Sequence, residues 1–251
     1  MDNSFENIVK SYYKFTPVLP EKYIRLILET FEISANDKII DLGCGSGDLT
    51  LALNKHASSV EGIDISKTMI TKAREKDKNK QVTWIQDSVE NFDLGEEKYN
   101  LIISFESFHL FPRQKELIQR CAKALKPGGF LSIGWRMYEW DIPLKKAIKE
   151  TFDAYGIDRG EWGLWTCPTF FHDIEMSKTD LKAPQQRKIA IKTKTSIDVI
   201  ANNVLNNSRS AHIHNDRKKE LQKALRKSFL EIYPSGQSDG YTEFVLMYAQ
   251  K

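Results

Sequence analysis

Ile39-Ile40-Asp41-Leu42-Gly43-Cys44-Gly45-Ser46-Gly47-Asp48-Leu49 decides how this chain folds. Two β-branched apolar residues run into an acid, and three glycines follow at alternate positions. A short apolar run that ends at glycines indicates a buried strand turning sharply into a helix. Glycine suits that turn in two ways: it takes positive φ, and it lets a ligand approach bare main chain. The pattern points to a nucleoside-type cofactor at the carboxyl end of a parallel sheet. A plain structural turn is the alternative.

The spacing says more. A dinucleotide fingerprint would run G-x-G-x-x-G. This chain has G-x-G-x-G, with Asp48 where the third fingerprint glycine would fall. An anion in the first helical turn suits the helix dipole. It would repel a pyrophosphate in the same place. S-adenosylmethionine carries no phosphate and fits better.

Working outward, Val60 to Ser66 is apolar and β-branched and brings Asp64 to a strand end. That acid lies about twenty positions beyond Gly43, the distance at which a carboxylate reaches ribose hydroxyls in a βαβ unit. It also suits a solvated strand end or a cap for the helix starting near Ser66. A third strand, Val82 to Gln86, ends at Asp87-Ser88. Asp87 either accepts from an adenine amino group or caps a short helix over Val89 to Phe92. A fourth strand, Tyr99 to Phe105, is nearly all apolar, as a central parallel strand should be. Then come Ser104 to Phe111, a helix over Pro112 to Leu125 with Pro112 at its first position, a stop at Lys126 to Gly129, and a fifth strand, Phe130 to Trp135.

These pieces together resemble the class I S-adenosylmethionine-dependent methyltransferases. The matching segments are IIDLGCGSGDL, VEGIDIS, IQDSVENF, YNLIISFESFHLF and LKPGGFLSIGW, in the family's order, over roughly Asp37 to Trp135. The overall pattern is most similar to the small-molecule branch that includes trans-aconitate and juvenile-hormone-acid methyltransferases. Leu110 stands where that branch often has tryptophan after the histidine.

The resemblance implies a Rossmann-like, doubly wound α/β fold. Its sheet would have seven mostly parallel strands, the last antiparallel. It also implies one domain over residues 1–251, with a helical lid (1–35), a cofactor-binding core (36–135), an acceptor-site insertion (136–186) and a C-terminal part of the sheet (187–251). Residue by residue, it places Asp41 at the methionine end of the cofactor and lets Gly43 and Gly45 offer backbone to the amino-acid moiety. Asp64 would hold the ribose hydroxyls and Ile65 the adenine face. Asp87 and the Ser88 amide would meet the adenine, and the Ser104 carbonyl the cofactor amine. The product would be S-adenosylhomocysteine.

Two regions outside the core are expected to form the acceptor site. One is Asp2 to Pro20, with Tyr12 and Tyr13, followed by a helix over Glu21 to Phe31 with an apolar face at Ile24, Ile27, Leu28 and Phe31. The other runs from Arg136 to about Pro184 and is too long for an ordinary crossover. Its aromatic residues, Trp140 and Trp165 among them, suit a cavity wall or a small core of their own. Beyond it a sixth strand is expected at Lys188 to Thr195, helices at Ser196 to Asn206 and Asp216 to Ile232, and a closing strand at Tyr241 to Ala249.

Methyl transfer from a sulfonium is an in-line displacement, so a protein mainly aligns the nucleophile and excludes water. His109 is the candidate base; hydrogen bonding to substrate or capping a helix are its alternatives. Glu106 is a weaker candidate with a structural role expected. A carboxylate acceptor would want an arginine fork, for which Arg136 and Arg209 are the candidates. His212 and His214 stand at i, i+2 spacing and are not expected to act as metal ligands, and no metal site is expected.

Composition agrees. The chain has 251 residues, 37 basic against 34 acidic, for a formal net charge of +3. That near balance gives no strong global field toward nucleic acid or membrane. The basic cluster at Arg187 to Lys194 alternates with apolar residues, as on the solvated face of an edge strand. Three scattered cysteines form neither a zinc pattern nor a disulfide framework. With no leader peptide or apolar span in the sequence, a reducing cytoplasm is the expected setting. A small-molecule methyltransferase is the first expectation. A nucleic-acid or protein methyltransferase and a non-methylating user of the same cofactor (a cyclase or lyase) are the alternatives.

Overall fold

The computed structural model describes residues 19–139, 142–157, 174, 178–205 and 213–251, with backbone only at 138 and 139. Seven strands form one sheet in the order β3-β2-β1-β4-β5-β7-β6. They are β1 Lys38–Leu42, β2 Ser59–Asp64, β3 Thr83–Gln86, β4 Tyr99–Phe105, β5 Leu125–Glu139, β6 Gln185–Ser196 and β7 Gln237–Gln250. The first five pair in parallel. β7 runs against both neighbours: Lys251 N binds Gly129 O while Ser132 Oγ binds Met247 O, and Lys182 N binds Gln250 O while the Thr193 and Thr242 hydroxyls meet. The expected mixed sheet with a reversed last strand is thus present. The order reverses between β1 and β4, the crevice where open α/β sheets take ligands.

The chain divides into two compact units. The larger holds Val18–Arg136, Trp165–Ile189 and Phe244–Lys251. Its helices are α1 Glu21–Thr30, α2 Asp48–Leu53, α3 Lys67–Lys76 and α4 Gln114–Ala124. Ile39, Ile40 and Leu42 of β1 are fully buried, as a central parallel strand requires. Each contributes roughly 1.5–3 kcal/mol by leaving water. α1 buries Tyr23, Leu26, Ile27 and the following Phe31, leaving Ile24 and Leu28 half-buried. The expected stripe omitted Tyr23, whose hydroxyl reaches Val245 O at 3.3 Å and so satisfies its polar tip inside.

Three local expectations need correction. The helix after β4 starts at Gln114, not at Pro112. Phe108–Leu110 winds as a 3₁₀ turn first, Arg113 takes φ +53°, and Gln114 Nε2 binds Phe108 O at 3.0 Å. Lys126 to Gly129 lies within β5, because Gly128 N binds Lys251 O at 3.1 Å and draws the segment into the sheet. Val89 to Phe92 forms one turn without a helix. The Arg120 guanidinium takes the carbonyls of Val89, Glu90 and Phe92, which a continuing helix would need.

The smaller unit includes Met137–Leu164 and Ala190–Glu243. α5 Ile142–Ala154, α6 Ile197–Leu205 and α7 Asn215–Ile232 share a core of Leu144, Ile148, Phe152, Val204, Leu221 and Phe229. The basic, alternating β6 is one of the sheet's two edge strands, as its pattern indicated. No helix among the described residues is long and apolar enough to cross a membrane.

Candidate active site

The glycine-rich turn is fastened to β2 by main-chain bonds. Gly43 N and Cys44 N both donate to Ile63 O, at 2.8 and 3.0 Å. Gly45 N donates to Asp64 Oδ2 at 2.9 Å, and Ser66 N to Asp64 Oδ1 at 2.8 Å. Asp64 therefore holds the loop and the entry to α3 together, while Ser66 Oγ caps that helix at Met69 N.

The three glycines serve different ends. Gly43 has φ +70°, and a Cβ there would lie 2.5 Å from Ser107 Cβ and Oγ. Ser107 Oγ donates to Leu42 O at 2.9 Å and lies 2.8 Å from Ser104 Oγ, stitching the tips of β1 and β4. Gly47 has φ +81°, and a Cβ there would collide with the Trp84 ring. Only at Gly45 would a Cβ meet nothing within 4 Å. That is where the turn offers open main chain, the property a ligand cradle needs.

Asp41 lies under the turn, 1 % exposed, and accepts from Thr50 Oγ1 at 2.6 Å. Burial pushes its carboxyl up to about 7; the Thr50 bond opposes the shift and the Asp64 charge adds to it. Asp48 accepts from Lys76 Nζ at 2.7 and 2.9 Å and from Ser46 Oγ at 2.9 Å. The sequence suggested a bare anion, but Lys76 offsets its charge. Exclusion of pyrophosphate by Asp48 therefore loses force.

Asp64 registers with Gln86 across the parallel β2–β3 pair, and Ile65 and Asp87 are the residues that follow each strand. Ile65 is 40 % exposed, an apolar side chain without an apolar cover at a strand end. Asp87 is exposed and accepts from Ser88 N at 2.7 Å. Ser88 Oγ, not Asp87, accepts from Asn91 N at 3.3 Å and caps the turn.

At the end of β4, Ser104 is buried and Glu106 takes φ +57° with its N–H on Gly134 O at 2.8 Å. Glu106 binds Arg136: Nε to Oε1 at 3.0 Å and one terminal nitrogen to Oε2 at 2.9 Å. The fork expected for an acceptor carboxylate is occupied by this partner, and Glu106 has the structural role expected of it. His109 is exposed on the 3₁₀ turn. Neighbouring protein lowers its pKa by disfavouring the cation, against the Glu106 charge, which raises it. Tyr12, Tyr13, Trp140, Trp165 and Arg209 lie outside the described residues.

Thr50, Trp84 and Ser107 escaped the sequence reading. Trp84 packs on Gly47, Gly62 and Ala73 and donates from Nε1 to Asp77 Oδ2 at 3.1 Å. Their signal was positional: a hydroxyl one turn into the helix that follows the strand acid, a large ring registering with Gly62, and a serine three residues beyond Ser104.

Residues 39–129 match the protein family described as a methyltransferase domain. Among curated proteins, the chain is 29% identical over 136 residues to a ubiquinone biosynthesis O-methyltransferase of Proteus mirabilis, covering 51% of this chain and 56% of that one. It is 38% identical over 101 residues to a 23S rRNA (uracil(1939)-C(5))-methyltransferase of Francisella tularensis, covering 39% of this chain and 20% of that one. The chain spans about half the length of the first curated relatives it matches. A solved phospholethanolamine N-methyltransferase 2 of Haemonchus contortus, in complex with phosphomonomethylethanolamine and S-adenosylhomocysteine, aligns over 98% of this chain and 57% of its own. Its TM-score is 0.58 at 16% identity, a likeness of fold.

The segment that matches a methyltransferase domain runs from β1 into β5 and carries the glycine-rich turn, Asp64 and the end of β4.

Proposed function

We propose that this protein transfers a methyl group from S-adenosylmethionine to a small-molecule acceptor by in-line displacement. The carrying observation is the Gly43–Gly47 turn, whose open main chain at Gly45 lies between the buried Asp41 and the loop-holding Asp64 within a methyltransferase domain. The O-methyltransferase relative, and the structural neighbour solved with S-adenosylhomocysteine, support the cofactor and the size of the acceptor.

The residues fit that cofactor. Asp64 can accept from ribose hydroxyls while holding Gly45, and Ile65 offers an apolar face to the adenine. On this reading Asp87 would meet the adenine edge and Gly45 the amino-acid end, with Asp41 and the Ser104 carbonyl near the amine; the Ser88 amide already donates to Asp87, and Gly43 is closed off by Ser107. Bound there, the cofactor supplies a methyl group already activated by sulfonium charge. The chain's own residues orient the acceptor and exclude water. His109, with its pKa lowered, is neutral at pH 7 and can take a proton from a hydroxyl or amine acceptor.

Calorimetric titration with S-adenosylmethionine and S-adenosylhomocysteine tests the reading, followed by assay of S-adenosylhomocysteine release with small acceptors and with ribosomal RNA. Uptake of both nucleosides, with turnover on small acceptors, is expected. Absence of uptake would sink the proposal. Turnover on RNA alone would favour the activity named for the Francisella relative.

A further inference from the structure

Among the described residues, two buried side-chain polar atoms have no hydrogen-bond partner, Trp135 Nε1 and Glu90 Oε1. Trp135 is 9 % exposed. An indole N–H donates and cannot accept. A buried donor left unpaired is costly, so it calls for a reason.

Position supplies one. Ser104 registers with Ile133, and Phe105 with Gly134, across the β4–β5 pair. Strand alternation then puts Trp135 on the face of Ser104 and Ile133. The opposite face carries Arg136, whose guanidinium lies 5.5 Å from the Phe105 ring centroid. Trp135 is the first β5 residue past the last paired residue of β4, at the carboxyl end of the sheet. The bond from Glu106 N to Gly134 O makes the segment bearing His109 leave β4 beside it. Ligands of open α/β sheets bind at that end.

We propose that the Trp135 indole N–H is the hydrogen-bond donor for the methyl acceptor, and that the acceptor presents a hydroxyl-type oxygen, as a phenol or enol does. This rests on the methyl-transfer reading above. A hydroxyl oxygen has two lone pairs. One takes the indole N–H. The other forms the O–C bond as the methyl–sulfur bond breaks onto sulfur, and the hydroxyl proton leaves to His109. An amine has one lone pair, so a donor on it would block attack. A carboxylate wants a planar cation, and Arg136, next along β5, is bound to Glu106.

The test labels the five tryptophans with nitrogen-15 and follows their indole N–H resonances in the complex with S-adenosylhomocysteine. Trp135→Phe assigns the Trp135 resonance by its disappearance. Should that variant fail to fold, replacing the other tryptophans one at a time assigns it by elimination. Phenol, benzoate, aniline and toluene are then titrated. The Trp135 resonance is expected to move downfield with phenol and stay in place with toluene, and Trp135→Phe to bind phenol about tenfold more weakly. A resonance that stays in place with all four probes overturns the proposal, and so does a larger movement with benzoate or aniline. If S-adenosylhomocysteine itself fails to bind, the methyl-transfer reading falls. If it binds and Trp135 stays silent, this inference alone falls.

Discussion

Arg136 and Glu106 form a two-contact ion pair in which the guanidinium side chain is 5% exposed and the carboxylate 19%. Taking both charges out of water is costly, and their contacts with each other offset that cost. Removing one partner leaves the other charge buried alone. Glu106→Ala should therefore cost about 3–5 kcal/mol, measured by urea unfolding, whereas replacing both with apolar residues of similar volume should cost much less. Equal losses in the single and double variants would show that the pair is not the source of the effect.

Trp84 and Gly47 define each other in the same way. The ring lies where a Cβ on residue 47 would go, and φ +81° at that residue disfavours any side chain. Trp84 is half-buried, so Trp84→Ala should cost about 2–3 kcal/mol, below the range for a fully buried ring, through lost contacts and the gap left behind. Gly47→Ala should be destabilising in the wild type and less so in the Trp84→Ala background. A double-mutant cycle by chemical denaturation measures the difference. Strictly additive losses would mean that strain at φ, and not the ring, dominates.

The fold was legible in the sequence because apolar runs, glycines and strand-end acids recur at βα spacing from Ile39 to Trp135. Strand ends drifted where hydrogen bonds from distant chain decided them, as at Gly128, which pairs with Lys251. Side-chain roles were harder to read. Arg136 has the chemistry of an anion clamp, and nothing local reveals that Glu106, thirty positions away, turns back to meet it. Asp48 reads as a bare charge until Lys76 arrives from another helix. Which glycine is packed against and which is left open is set by Ser107, just beyond β4, and by Trp84 of β3.

Asp64 accepts from two main-chain amides as well as from the proposed ribose, so its replacements should separate the two roles. Asp64→Ala should weaken S-adenosylhomocysteine binding by about 1–3 kcal/mol through loss of charge-assisted hydrogen bonds. Asp64→Asn keeps one acceptor oxygen for the loop and should retain more stability than affinity. Calorimetry for binding and thermal unfolding for stability read the two effects apart. Unchanged affinity in Asp64→Ala would remove the ribose role and leave Asp64 a loop tether.

Asp41 makes stability depend on pH in a direction opposite to that of a salt-bridged acid. Its pKa rises from 3.8 to about 7 on folding. Between those values the folded protein keeps a proton that the unfolded chain has released, so stability falls as pH rises through that window and is level above it. A shift of this size corresponds to a loss on the order of 4 kcal/mol across the window. Asp41→Asn keeps an acceptor for the Thr50 hydroxyl and has no charge to bury. It should flatten the decline and be the more stable protein at pH 8, as read by urea unfolding at several pH values. A wild-type profile that already lacks the decline, or a variant that reproduces it, would show that Asp41 is ionised in the folded protein throughout.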